Sequence, residues 1–209
     1  MLLPQAAFRE HGADTERSRN SEDIGTMNAI TATRHWLEQA VIGLNLCPFA
    51  RAVHVKRQIR WVESPARDEQ ELREDLVREL QYLAAADAET VDTTLLIHPH
   101  VLNDFLDYNN FLDVADAAIE ALGLTGVLQV ASFHPDYRFE GTAADDVDNF
   151  SNRSPHPMLH LLREESISRA VAAFPDAATV YERNIQTLRR LGAPGWQELM
   201  SNPEDSRSG

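Results

Sequence analysis

Two short apolar runs closed by the same dipeptide constrain this chain most. Thr93–Ile97 ends in His98-Pro99, and residues 126–133 end in His134-Pro135. Both runs suit extended backbone, and proline cannot continue a strand's ladder, so each pair marks a strand end. Between them, residues 102–122 carry a helical apolar period closed by Gly123. Two strands that are apolar throughout, linked by one helix, are the pattern of parallel strands joined by a right-handed crossover. Both imidazoles then fall on the carboxyl edge of the sheet, where open α/β sheets bind ligands.

The remaining periodicity extends this unit. Trp36, Leu37, Ala40, Val41 and Leu44 make one helical stripe over residues 31–44, stopped by Asn45 and Pro48. Residues 53–62 alternate as a strand, with a slip at 56–58. Ser64-Pro65 opens a helix carrying Leu72, Leu76, Leu80 and Leu83. Residues 135–157 lack periodicity and read as a long loop, and such loops are usually functional or disordered. Helices follow over 157–174 and 176–191, the second capped by Asp176 and ended by Gly192. The expected class is α/β: a single domain over residues 28–200, with a small, mostly parallel sheet of three to four strands flanked by helices. Residues 1–27 and 201–209 read as polar, flexible tails, with Met27 a candidate second start.

Composition removes several function classes. The net charge is −14, which opposes phosphate backbones and anionic lipid, so neither nucleic acid nor membrane is an expected partner. No apolar run approaches the roughly 20 residues of a membrane helix. The opening Met1-Leu2-Leu3-Pro4 lacks the form of a signal peptide, so the expected location is cytoplasmic. The single cysteine, Cys47, sits among apolar neighbours and reads as an inert thiol, which leaves no disulfide scaffold and no multi-cysteine zinc site. The Walker, dinucleotide and serine-hydrolase signatures are missing, so no cofactor is identified.

The candidate chemistry gathers after the strand that ends at Phe133. His134 is followed by Tyr137, then by Asn149, Asn152, Arg153 and Ser154, then by His160, Arg163 and Glu164. On a helix the last three share one face, at spacings of three and four. Imidazole titrates near neutral pH, guanidinium forks bind carboxylate or phosphate, and amide and hydroxyl groups orient a substrate. His134 and His160 are therefore the candidate catalytic pair, and the other seven the candidate binding residues. An internal polar network is the competing structural explanation. His156 and His160 are spaced i, i+4 but lack the usual glutamate companion, so no metal ligands are assigned. The acidic residues between Asp136 and Asp148 lack calcium-loop spacing and read as solvated loop.

Three stretches carry a family resemblance: Ile42 to Ala50 (IGLNLCPFA), Gln129 to Tyr137 (QVASFHPDY), and Asn152 to Glu164 (NRSPHPMLHLLRE). With them the chain resembles a bacterial family of domains of unknown function. The resemblance covers roughly residues 30–199 and implies one domain, with no activity, substrate or cofactor attached. The family pattern has tyrosine where His156 stands and no fixed histidine at His98, which weakens metal readings built on either.

Three functions compete on the sequence. The first is a hydrolase or transferase acting on a small anionic metabolite, with His134 and His160 as acid–base groups and Arg153 and Arg163 holding the anion. The second is a metal-dependent enzyme using His134 and His160, with His98, Asp136 or Cys47 as further ligands. The third is a non-catalytic ligand-binding or protein-interaction module. Whether the chain is an enzyme at all, its cofactor and its oligomeric state stay open at this stage.

Overall fold

The structure is a computed structural model that describes residues 28–173 and 179–201. Met27, the tails at 1–27 and 202–209, and the expected cap Asp176 lie outside those residues.

The first helix, α1 (Ala29–Trp36), starts at Asn28, whose side chain accepts the Thr31 N–H at 2.8 Å. Neutral amide capping of this kind satisfies one of the free N–H groups of the first turn. The helix then widens into a π-helical segment, Leu37–Ile42. There the Gly43 N–H reaches Glu38 O at 3.0 Å and the Leu46 N–H reaches Val41 O at 2.9 Å. Asn45 exits in the left-handed region, at φ 54, which asparagine tolerates. A short helix α2 (Ala50–Val55) and strand β1 (Ile59–Glu63) follow. The strand expected from residue 53 therefore begins six residues later. The slip in alternation at 56–58 is a turn in which Arg57 takes φ 59.

Helix α3 (Glu69–Ala85) is capped by Asp68, not by Ser64, and Asp68 accepts the Glu71 N–H at 2.9 Å. Ser64 is buried instead and donates to Asp75 at 2.5 Å. Strand β2 (Thr93–Ile97) is buried at every position. Helix α4 (Phe105–Ala121) starts at Asp104, whose carboxylate accepts the Leu106 and Asp107 N–H groups. Leu102, the expected helix start, has φ 57 and belongs to the preceding loop. Strand β3 (Leu128–Phe133) comes next, then a 3-10 turn at Val147–Asn152 within the long loop.

The largest correction falls after that loop. The segment expected as a helix over 157–174 is strand β4 (Met158–Arg163), running directly into α5 (Glu164–Ala173). The last helix, α6 (Val180–Met200), is broken at Gly192, where φ is 67 and ψ 173.

The sheet order is β1-β2-β4-β3. β1 and β2 are parallel, and β4 runs antiparallel to both β2 and β3. The three strands read from the sequence thus point the same way, as expected. The pairing is mixed and not mostly parallel, because β4 returns between β2 and β3. Helices α3 and α4 cover one face through Leu72, Leu76, Leu80, Leu83 and Phe111, packed on Leu96, Val130, Leu159 and Leu161. The other face packs Leu95, Ile97 and Met158 against Trp36, Leu37, Ala40, Leu188 and Trp196. Arg189 of α6 grips the buried Asp148 through Nε at 2.9 Å and a terminal nitrogen at 2.6 Å, fixing the 3-10 turn to the helix. Two parallel N–H···O bonds fix orientation as well as distance.

Candidate functional site

His98 and His134 do sit at the same sheet edge, one residue past β2 and β3 respectively, whose last residues both pair with Met158 of β4. Both are fully buried on the α4 side. The His98 Nδ1–H donates to Val101 O at 3.0 Å. His134 accepts the Asp136 N–H on Nδ1 at 3.0 Å and donates from Nε2 to Leu102 O at 3.2 Å. The two rings therefore clamp consecutive carbonyls of the 99–104 loop, one of them on the left-handed Leu102. Tyr108 lies between them, stacked on His98 at 5.9 Å and tilted to His134 at 5.0 Å, with Phe105 and Tyr137 closing the cluster. Its hydroxyl accepts the Phe133 N–H and donates to Met158 O, both at 2.9 Å. A tyrosine hydroxyl thus stands inside the β3–β4 ladder. Both ring nitrogens of His134 are engaged, and this edge is packed with rings.

The remaining candidate residues are spread through the fold. Tyr137 accepts from the Ser132 hydroxyl at 3.4 Å. Asn149 accepts the Phe139 N–H and donates to Ala143 O, which ties down the loop. Asn152 donates to Ser132 O at 3.1 Å, and Ser154 donates to His156 O at 2.6 Å. Arg153 donates to Tyr137 O and Ala144 O while its guanidinium lies 4.9 Å over the Phe150 ring. Burial pushes the Arg153 pKa down, against the opposing pull of Asp136 and neighbouring acids. Arg163 donates to Leu83 O and Ala86 O at 2.7 Å each, and also to Val91 O. It serves the free carbonyls at the end of α3, a role that guanidinium fills well. Glu164 opens α5 and lines a hollow with Asp116, Glu120 and Gln129. The two arginines do not converge, and both are committed to backbone carbonyls.

His160 differs from all of these. It sits in the middle of β4, an inner strand, between Leu95 of β2 and Ala131 of β3. Because strand side chains alternate, His160 faces α1, whereas Arg163 faces the α3 side. The face shared by His160, Arg163 and Glu164 on a helix does not exist, and His134 and His160 lie on opposite faces of the sheet. His160 Nε2 is 2.7 Å from the Thr93 hydroxyl, which is itself 2.6 Å from Leu161 O. Phe133 stands 6.0 Å away and meets the Trp36 ring edge-on at 5.4 Å.

Among the described residues, those of β3 and β4 on this face, Met158 apart, are only partly covered. Trp36, Leu95 and Met158 are buried, but Gln129, Ala131, Phe133, His160 and Leu162 all keep some solvent contact. His160 lies deep in the protein and keeps partial solvent contact. Burial pushes its pKa down to about 4, and burial does the same to His98, also to about 4. Thr93 and Phe133, which frame the ring, escaped the sequence reading. They become legible only once residues 158–163 are known to be a strand, because strand parity then selects their side of the sheet.

These shifts fix a pH dependence. A histidine whose folded pKa lies below its unfolded value of about 6.5 resists protonation only in the native state. Its contribution is complete above about pH 6.5 and is lost as pH falls through the window down to about 4. The expected loss is roughly 2–3 kcal/mol for each of His98 and His160. Urea denaturation at pH 7, 5.5 and 4 should show it, and His160→Gln should flatten the profile by about its own share. A flat profile in the native protein contradicts the burial argument.

Fold and site together define an α/β domain with helices on both faces of a mixed four-stranded sheet and one partly buried imidazole, His160, on the α1 face. The chain belongs to DUF1415, a family of proteins of unknown function, whose family model matches residues 28–198. No curated protein and no solved structure matches it. Among the described residues no helix is long and apolar enough to cross a membrane, and no group of three or more His, Cys, Asp or Glu is placed to hold a metal ion.

Proposed function

We propose that this domain binds a small molecule in the gap on the α1 face, with His160 as its polar anchor. One observation carries the reading: a neutral imidazole sits in a central strand, amid apolar side chains, at a place where the sheet stays partly open. A polar ring left partly open on a mostly apolar face costs burial energy unless it is partnered, and an apolar recess with a few polar groups is the usual form of a ligand site.

Binding is favoured over acid–base catalysis. A base whose pKa is pushed down to about 4 is weak at neutral pH. The candidate partner His134 is on the opposite face with both nitrogens bonded. The arginines expected to hold an anion serve carbonyl groups of the fold. The reading therefore keeps His160 from the original pair and gives Tyr137, Asn149, Asn152, Arg153, Ser154, Arg163 and Glu164 structural duties.

The test is a fragment screen by NMR on the full chain with labelled histidine. The expected hits shift the His160 ring signals and the neighbouring Leu95 and Ala131 amides, and the amide shifts disappear with His160→Phe, while His98 and His134 signals stay still. Hits that move only the edge histidines, or a screen with no hits, overturn the proposal.

A further inference from the structure

Resting on that reading, the hydrogen-bond geometry around His160 points further, to the chemistry of the ligand. The Thr93 hydroxyl has one proton. It lies 2.6 Å from Leu161 O, which can only accept, so the proton goes there. At 2.7 Å the neighbouring His160 Nε2 must then be the donor. The imidazole is thereby held as the Nε2–H tautomer, and Nδ1 carries a bare lone pair with no partner among the described residues. We infer that the gap takes an uncharged, mainly apolar molecule that presents an N–H or O–H donor to His160 Nδ1.

An anion is disfavoured twice. Its oxygen would face the Nδ1 lone pair, acceptor against acceptor. Protonating the ring to repair that clash means creating a charge among Phe133, Leu95, Leu162 and Trp36. Arg153 and Arg163, the two guanidinium groups that the sequence offered for an anion, are held by carbonyl groups on other parts of the fold. In this inference a neutral hydrogen-bond donor takes the place of the small anion expected from the sequence. Phe133 offers a ring face or edge beside the anchor, so flat heterocycles are the natural probes.

Two matched pairs separate the chemistries: pyrrole with furan, and indole with benzofuran. Within each pair the size is nearly constant and only the N–H is exchanged for an acceptor oxygen. Benzoate supplies the anion. With the full chain at pH 7, titrations followed by the His160 ring signals should show the N–H partner of a pair binding at least tenfold tighter than its oxygen analogue, and no saturable binding of benzoate. His160→Phe, checked for native folding by circular dichroism and titrated through the backbone amides of Leu95 and Ala131 on either side of position 160, should erase the preference within each pair.

Equal binding within both pairs, or tighter binding of benzoate, overturns this inference while leaving the gap as a ligand site. Failure of every probe to perturb His160 removes the ligand site and the inference together. A preference that survives His160→Phe assigns the donor's partner elsewhere and also overturns it.

Discussion

Alanine at Gly43 is expected to lower the stability of this domain by about 3 kcal/mol or more. A Cβ built there would stand 2.1 Å from Gln39 O and 2.9 Å from the Gln39 carbonyl carbon. Both are backbone atoms of the π-helical segment, so no side chain can swing aside. The cause is the wide turn, in which the Gly43 N–H bonds to Glu38 O and the carbonyl of residue 39 is left under residue 43. The penalty is one of space, because Gly43 has an ordinary helical φ of −62. Gly123 offers the opposite case: φ is 68, with nothing within 4 Å of an added Cβ. Alanine there should cost only about 1 kcal/mol. Urea denaturation of the two variants compares steric with conformational cost. Equal midpoints, or a Gly43→Ala protein as stable as its parent, would show that the wide turn is not held in solution.

Tyr108→Phe should be nearly as damaging although it removes a single oxygen. That hydroxyl is the partner of both the Phe133 N–H and the Met158 carbonyl, at the point where β3 and β4 join. Phenylalanine fills the same volume and leaves two main-chain groups without partners. Each orphaned buried group costs about 1–3 kcal/mol, so a loss of about 3 kcal/mol is expected. Hydrogen exchange should locate the damage, with the Phe133 amide exchanging much faster in the variant and amides of α3 less affected. Unchanged stability together with unchanged Phe133 protection would mean that the strands close directly on each other without the tyrosine.

Much of the architecture could be read from periodicity. The leucine stripe of α3, the end of α4 at Gly123 and the two His-Pro strand ends all appear where the sequence puts them. β4 could not be found this way. Met158-Leu159-His160-Leu161-Leu162-Arg163 is apolar at positions that satisfy both a helical and a two-residue repeat, since apolar side chains stand on both of its faces. Arg163 also passes to Glu164 at the head of α5 with no glycine or proline between them. Misreading that strand reversed the candidate site. A change from helix to strand moves His160 and Arg163 from one shared face to two opposite faces. Arg153 and Arg163 looked like anion ligands because guanidinium groups suit that task, but they suit the free carbonyls of loops and helix ends equally well, and sequence does not distinguish the two.

The late arrival of β4 has a consequence for how the chain assembles. β2 and β3 never touch as neighbours. Each must wait for a segment that follows β3 by more than twenty residues in sequence and returns to sit between them. On the ribosome, every intermediate length short of that segment holds two apolar strands with unsatisfied edges. Contacts this distant in sequence close slowly, and open strand edges invite pairing with other chains. The central strand therefore behaves as a keystone, and the interval before it is set is when this protein is most exposed to aggregation.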